Sequence, residues 1–207
     1  MQCLYPFIVS FILIFLSELG DKTQILVLSF STKNKTSNIL LGVVLGTLFS
    51  HGLAIIFGSQ FSIISNYNLI YHFKFLTYCT FFLLGIIGFI KIKRGTSIQK
   101  NEESTYKYRI INLLSSLTKN CVFVVASAIA IGELGDKTFL ASLGLGIQYP
   151  LYKLPLIVGS LCGMVFSNFI AIFLGKLLNS KISTSTIELL SNIIFILFGA
   201  IGLFSLL

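Results

Sequence analysis

Six apolar stretches, at about residues 6–30, 39–59, 74–92, 120–147, 154–175 and 187–207, leave this 207-residue chain few ways to fold. Each has close to the ~20 residues that a helix needs to cross the hydrocarbon core of a bilayer. The chain is 55% hydrophobic and only 11% charged, with a mean hydropathy of +0.93, which is the balance of a multi-pass membrane protein and not of a soluble domain. The expected fold is all-α and integral to the membrane, with six transmembrane helices. The longest hydrophilic segment, Lys93 to Thr118, contains Lys100-Asn-Glu-Glu-Ser104 and reads as a linker between two halves, 1–92 and 119–207.

Within two of these stretches the same hexapeptide, Glu-Leu-Gly-Asp-Lys-Thr, occurs at Glu18–Thr23 and at Glu133–Thr138. A charge at the centre of a membrane helix costs about 2.5–3.5 kcal/mol, so the six charges of the two copies would cost roughly 15–20 kcal/mol if left unpaired. Paying that twice with one peptide points to use. The motifs are 115 residues apart, and weaker matches follow at nearly the same spacing. Gly42 and Gly46 match Gly159 and Gly163 at 117, Phe49-Ser50-His51 matches Phe166-Ser167-Asn168 at 117, and Gly85 and Gly88 match Gly199 and Gly202 at 114. The halves therefore read as a three-helix repeat. An odd number of spans per half makes the second copy inverted, which would bring both motifs to the midplane and supply a means of alternating access.

The net charge of +8 does not point to nucleic acid, because its lysines sit in short loops between apolar spans. If the N-terminus lies on one side, that side receives only Lys74 and Lys153. The other receives eleven: Lys33, Lys35, Lys91, Lys93, Arg94, Lys100, Lys107, Arg109, Lys119, Lys176 and Lys181. The positive-inside rule makes the lysine-rich side cytoplasmic, or stromal in a plastid, with both termini opposite. Nothing basic precedes the first span and no small-residue cleavage site follows it, so it is expected to be a retained helix and not a signal or transit peptide. Abundant Lys, Phe, Ile and Asn fit an A/T-rich genome, which describes plastids and equally many bacteria and parasites. Cys3, Cys79, Cys121 and Cys162 form no metal-type pair and read as small buried hydrophobes.

On a continuous helix, residues three apart share a face, so Glu18 would project with Asp21, and Glu133 with Asp136. Four carboxylates meeting across the repeat axis would suit a hard cation such as Ca²⁺, Mn²⁺ or Mg²⁺. Lys22 and Lys137, four residues after each glutamate, suit helical ion pairs. The balance of minus two would be neutralised by one divalent cation or by two protons, which suggests competition between them. Thr23 and Thr138 are candidate hydroxyl ligands or backbone-bonding groups, and Gln24, opposite Phe139 in the second copy, is a further polar candidate. Gly20 and Gly135 could serve close packing, the preferred reading, or unwind the helix and expose carbonyls. His51, the one histidine inside a span, is read first as a polar packing residue, with ligation of Mn²⁺ as the other reading. The Gly42/Gly46 and Gly159/Gly163 pairs read as helix-packing faces.

These motifs resemble the paired E-x-G-D-[KR]-[ST] signatures of the Gdt-type family of membrane proteins, and the resemblance covers essentially the whole chain. Members of that family include Golgi and chloroplast proteins regarded as Mn²⁺ and Ca²⁺ transporters that exchange for protons. The resemblance implies that Glu18, Asp21, Glu133 and Asp136 form the cation site, with Thr23 and Thr138 as helpers. It implies a transporter, not an enzyme, with no resident cofactor and with Mn²⁺ or Ca²⁺ as cargo. The expected partners are the cations, protons and lipid, in a plastid membrane or a bacterial plasma membrane. Gln24 against Phe139 makes the two half-sites unequal. The alternative expectation is a non-transporting membrane assembly protein whose charged motifs hold helices together. An intramembrane hydrolase is disfavoured, since the sequence shows neither a recognisable Ser/His catalytic motif nor an HExxH motif.

Overall fold

The architecture is taken from a computed structural model, which describes residues 2–19, 24, 27, 30–31, 34–64, 66–94, 120–177 and 184–206. Among these residues there are seven helices and no strand. They are α1 (Leu4–Glu18), α2 (Thr36–Ile64), α3 (Tyr67–Arg94), α4 (Cys121–Glu133), α5 (Lys137–Gln148), α6 (Lys153–Leu177) and α7 (Thr184–Phe204). Among the described residues, three stretches of helix, Thr36–Ile64, Asn68–Ile90 and Lys153–Phe173, are long and apolar enough to cross a membrane. The expected linker lies outside the described residues beyond Arg94.

The two motif-bearing stretches differ from the uninterrupted helices expected of them. α1 ends at Glu18, and Leu19 turns the chain into an extended conformation with φ −61° and ψ 119°. α4 ends at Glu133, and Leu134 does the same with φ −61° and ψ 118°. The chain is helical again at Gln24 after the first turn and from Lys137 after the second. α4 and α5, of 13 and 12 residues, rise about 20 and 18 Å, each short of the hydrocarbon core.

α2 packs against α4, α5 and α6, while α1 lies along α6 and α3 along α7. Small residues let these backbones approach. A Cβ on Gly46 would stand 2.6 Å from the Ala126 carbonyl oxygen and 2.8 Å from Ile129 Cβ. One on Gly163 would stand 2.7 Å from the Phe11 carbonyl oxygen and 3.4 Å from Ile14 Cβ. Gly42 meets Val122 and Val125 as Gly159 meets Phe7 and Ser10. The α2–α4 and α6–α1 contacts are thus built alike, from residues 115 and 117 positions apart. Gly85 and Gly88 lie on Asn192 and Ile196 of α7, and Gly199 and Gly202 on Phe82 and Tyr78 of α3. The glycine faces read from the sequence are therefore real packing faces.

Large apolar side chains lie on the surface, and the interior holds polar groups beside its apolar core. Leu45, Phe49, Phe57, Phe166, Phe173 and Ile201 are exposed, while Glu18, Thr47, Ser50, His51, Glu133, Thr138, Ser142 and Asn168 are fully buried. In water so much exposed apolar area would be costly; against lipid tails it costs nothing. Several buried hydroxyls are satisfied by their own helices, as where Ser50 Oγ donates to the Gly46 carbonyl at 3.1 Å and Ser59 Oγ to that of Ile55 at 2.7 Å. All four cysteines are free, but Cys3 and Cys162 are exposed and not buried as expected. Cys162 lies on the outward apolar side of α6, where lipid and not protein would cover it.

Candidate cation site

The geometry of the second motif follows from its glycine. Gly135 has φ +80°, a conformation that L-residues avoid, and a Cβ built there would meet nothing within 4 Å. Its role is therefore to turn the backbone, and the reading of this glycine as a packing residue is corrected. The turn also changes what Asp136 does. With φ −77° and ψ 170° it is the N-cap of α5, and its Oδ1 accepts the Lys137 backbone N–H at 2.8 Å. The shared helical face expected for Glu133 and Asp136 presumed an unbroken helix and does not form. The Asp136 backbone N–H donates to the Glu133 carbonyl at 3.1 Å, which closes the turn.

This turn starts α5 where Thr138 can reach back to the last residue of α4. Thr138 Oγ1 donates to Glu133 Oε2 at 2.8 Å, and both side chains are wholly buried. α2 crosses at this level and brings His51, whose Nδ1 lies 2.7 Å from Ser142 Oγ on α5 and whose Nε2 lies 4.0 Å from Glu133 Oε2. α1 contributes Glu18 from the opposite half. One ligand atom each from Glu18, His51 and Glu133 can be chosen so that all three lie within 4.8 Å of one another, and all three residues are fully buried.

Two donors on opposite sides of a cation bound at ~2.4 Å stand about 4.8 Å apart, so the cluster has the dimensions of a single-ion site. The electrostatics point the same way. Two buried carboxylates this close repel one another, and each sits at the C-terminal end of its helix, where the macrodipole is negative. A cation or protons remove both penalties. In transporters with interrupted helices, half-helix C-termini hold cations.

The remaining candidates are distributed as follows. Gln24 Nε2 donates to Ser167 Oγ on α6, which ties the stretch after the first motif to the other half of the chain. Lys137 is half-buried, at the first residue of α5. Asp21, Lys22 and Thr23 lie outside the described residues, as does Gly20. Asn168, which matches His51 in the repeat, is buried, and its Nδ2 donates to the Met164 carbonyl at 2.9 Å. Of the three clustered residues, His51 was the one the sequence undervalued. Its signal was its solitary place within a span, but its neighbours belong to helices some 80 to 90 positions away.

The family model described as "Divalent cation/proton antiporter GDT1" matches residues 6–96 and 121–207. A chloroplastic GDT1-like protein 1 of Oryza sativa subsp. japonica is 26% identical over 94% of this chain. This chain spans 60% of the length of that relative. A Vibrio cholerae protein whose name proposes it as a manganese exporter is 28% identical over 91% of this chain and 86% of its own length. A GDT1-like protein of Synechocystis is 23% identical over 96% of this chain and 97% of its own. No solved structure matches the chain. With both halves matched and the two motif glutamates drawn into one buried cluster, the chain belongs to the GDT1 family of divalent cation/proton antiporters.

Proposed function

We propose that this chain is a secondary transporter that exchanges Mn²⁺ and/or Ca²⁺ for protons across a membrane. The observation that carries the reading is the meeting of Glu18 and Glu133. These residues open the two copies of one hexapeptide, lie 115 positions apart, and have ligand atoms within 4.8 Å of one another in a fully buried site. Two ionised carboxylates balance one divalent cation, and two protons balance them equally. Cation and protons therefore compete for the same oxygens, and the site moves one M²⁺ against two H⁺. Thr138 orients Glu133 through its hydrogen bond. Asp136 couples the site to the start of α5 through its cap, and Asp21 is its counterpart in the first motif. Lys22, Lys137, Thr23 and Gln24 are supporting residues in this reading.

The proposed frame is six spans in two inverted three-helix halves, 1–92 and 119–207, joined by the linker 93–118. It is supported by the matched glycine contacts of α2 on α4 and of α6 on α1. It is also supported by the matched turns after Glu18 and Glu133. Exchange of conformation between such halves opens the site first to one side and then to the other. In this frame both termini lie opposite the lysine-rich loops. A plastid membrane or a bacterial plasma membrane fits the relatives, one named chloroplastic and one from Vibrio cholerae. The test is flux: purified protein in proteoliposomes should move Mn²⁺ or Ca²⁺ against an imposed pH gradient, and Asp21→Asn or Asp136→Asn should abolish it. Undiminished flux in both variants overturns the role given to the aspartates. If the motifs serve only to hold helices together, the wild type shows no flux and the variants lose stability.

A further inference from the structure

The cluster holds one donor that differs chemically from the rest. His51 is fully buried in the middle of α2, and its Nε2 has no hydrogen-bond partner among the described residues. The 4.0 Å from Nε2 to Glu133 Oε2 is beyond hydrogen-bond reach. An unmade bond on a buried polar atom is a standing cost, and a ligand on Nε2 would remove it. The other nitrogen is held. Nδ1 lies 2.7 Å from Ser142 Oγ, and with the hydroxyl accepting from Nδ1–H, the tautomer this inference requires, the ring presents its Nε2 lone pair to the carboxylates. That is how ligating histidines are usually arranged, one nitrogen anchored by a neighbour and the other on the metal.

We propose, resting on the cation-exchange reading above, that His51 Nε2 is a third ligand to the transported ion beside Glu18 and Glu133, and that it favours Mn²⁺ over Ca²⁺. Ca²⁺ draws its ligands almost wholly from oxygen, whereas imidazole nitrogen is a good ligand for first-row transition ions. The nitrogen comes from one half only. The matching position on α6 is Asn168, whose amide offers an oxygen in place of an imidazole. The selectivity is thus built into α2 and its contact with α5.

Two measurements on the full-length protein test this. In proteoliposomes with an imposed pH gradient, Ca²⁺ competes with Mn²⁺ uptake in the wild type and in His51→Asn, which copies the residue at 168. In the variant Mn²⁺ uptake should fall more than Ca²⁺ uptake, so that the preference for Mn²⁺ over Ca²⁺ drops about tenfold or more. An unchanged preference overturns the inference and leaves the exchange reading intact. In wild-type protein loaded with Mn²⁺, pulsed electron paramagnetic resonance should show nitrogen modulation from a directly bound imidazole, and the signal should vanish in His51→Asn. The only other histidine, His72, is exposed on α3. Bound Mn²⁺ without nitrogen modulation in the wild type overturns the inference even if the variant does not fold. A wild type that neither binds nor moves either ion overturns the exchange reading itself.

Discussion

Gly135→Ala isolates the turn that assembles the site. At φ +80° an L-residue loses roughly 1–2 kcal/mol relative to glycine. No steric penalty adds to this, because a Cβ there meets nothing within 4 Å. The strain is relieved only if Leu134 to Asp136 leave the turn, and in an alanine variant the easiest alternative is to continue α4 into α5. That would turn Thr138 away from Glu133 and free Asp136 from its cap. A bias of 1–2 kcal/mol depletes the turned conformation by a factor of about 5–30 relative to the alternative. Flux under a fixed pH gradient should fall, by at most that factor, in any variant that is otherwise folded. Asparagine tolerates positive φ better than alanine or valine. The ordering should therefore be Gly, Asn, Ala, Val, although asparagine is larger than alanine. The assay is initial-rate Mn²⁺ uptake into proteoliposomes, normalised to monodisperse protein recovered. Alanine as active as glycine, or asparagine worse than alanine, would refute the argument from backbone conformation.

Other expectations follow from the same geometry. Thr138→Val removes the donor to Glu133 Oε2 at nearly constant volume; a hydrogen bond to a charged group is worth about 1.5–3 kcal/mol, so the concentration of Mn²⁺ giving half-maximal uptake should rise roughly tenfold or more. Gly46→Val drives a branched side chain into the Ala126 carbonyl and Ile129, and should lower thermal stability in detergent, while Gly52→Ala, whose Cβ would meet only Leu48 Cδ1 at 3.6 Å, should not. Exchange of one M²⁺ for two H⁺ carries no net charge, so uptake should be unaffected when a potassium diffusion potential is imposed at constant pH difference; a strong response to voltage would contradict the stoichiometry.

Much of this was legible because it is periodic or repeated. The hexapeptide at 18 and 133 announced the two glutamates that meet, and the matched glycines at 42/46 and 159/163 announced the faces on which α2 and α6 accept α4 and α1. The break between α4 and α5 was hidden. Residues 120–147 form one long apolar run, and a glycine in such a run reads equally well as a packing residue or a hinge. Its positive φ belongs to the folded backbone, not to the sequence. Asp136 was misassigned to a helical face for the same reason, since three-residue spacing has that meaning only while the helix continues. His51 became interpretable through tertiary approach alone: Ser142 and Glu133, which give it a direction, lie 91 and 82 positions away in the chain.

The central claim is that Glu18 and Glu133 together bind the ion and the protons that replace it. The most direct measurement compares wild type, Glu18→Gln and Glu133→Gln in sealed proteoliposomes under an imposed pH gradient, with internal pH and Mn²⁺ followed together. Glutamine keeps the shape of the buried side chain and removes its charge. The account predicts coupled Mn²⁺ and proton movement in the wild type, and neither in the two variants, which should remain folded and monodisperse. Coupled movement at the wild-type rate in either variant would contradict it.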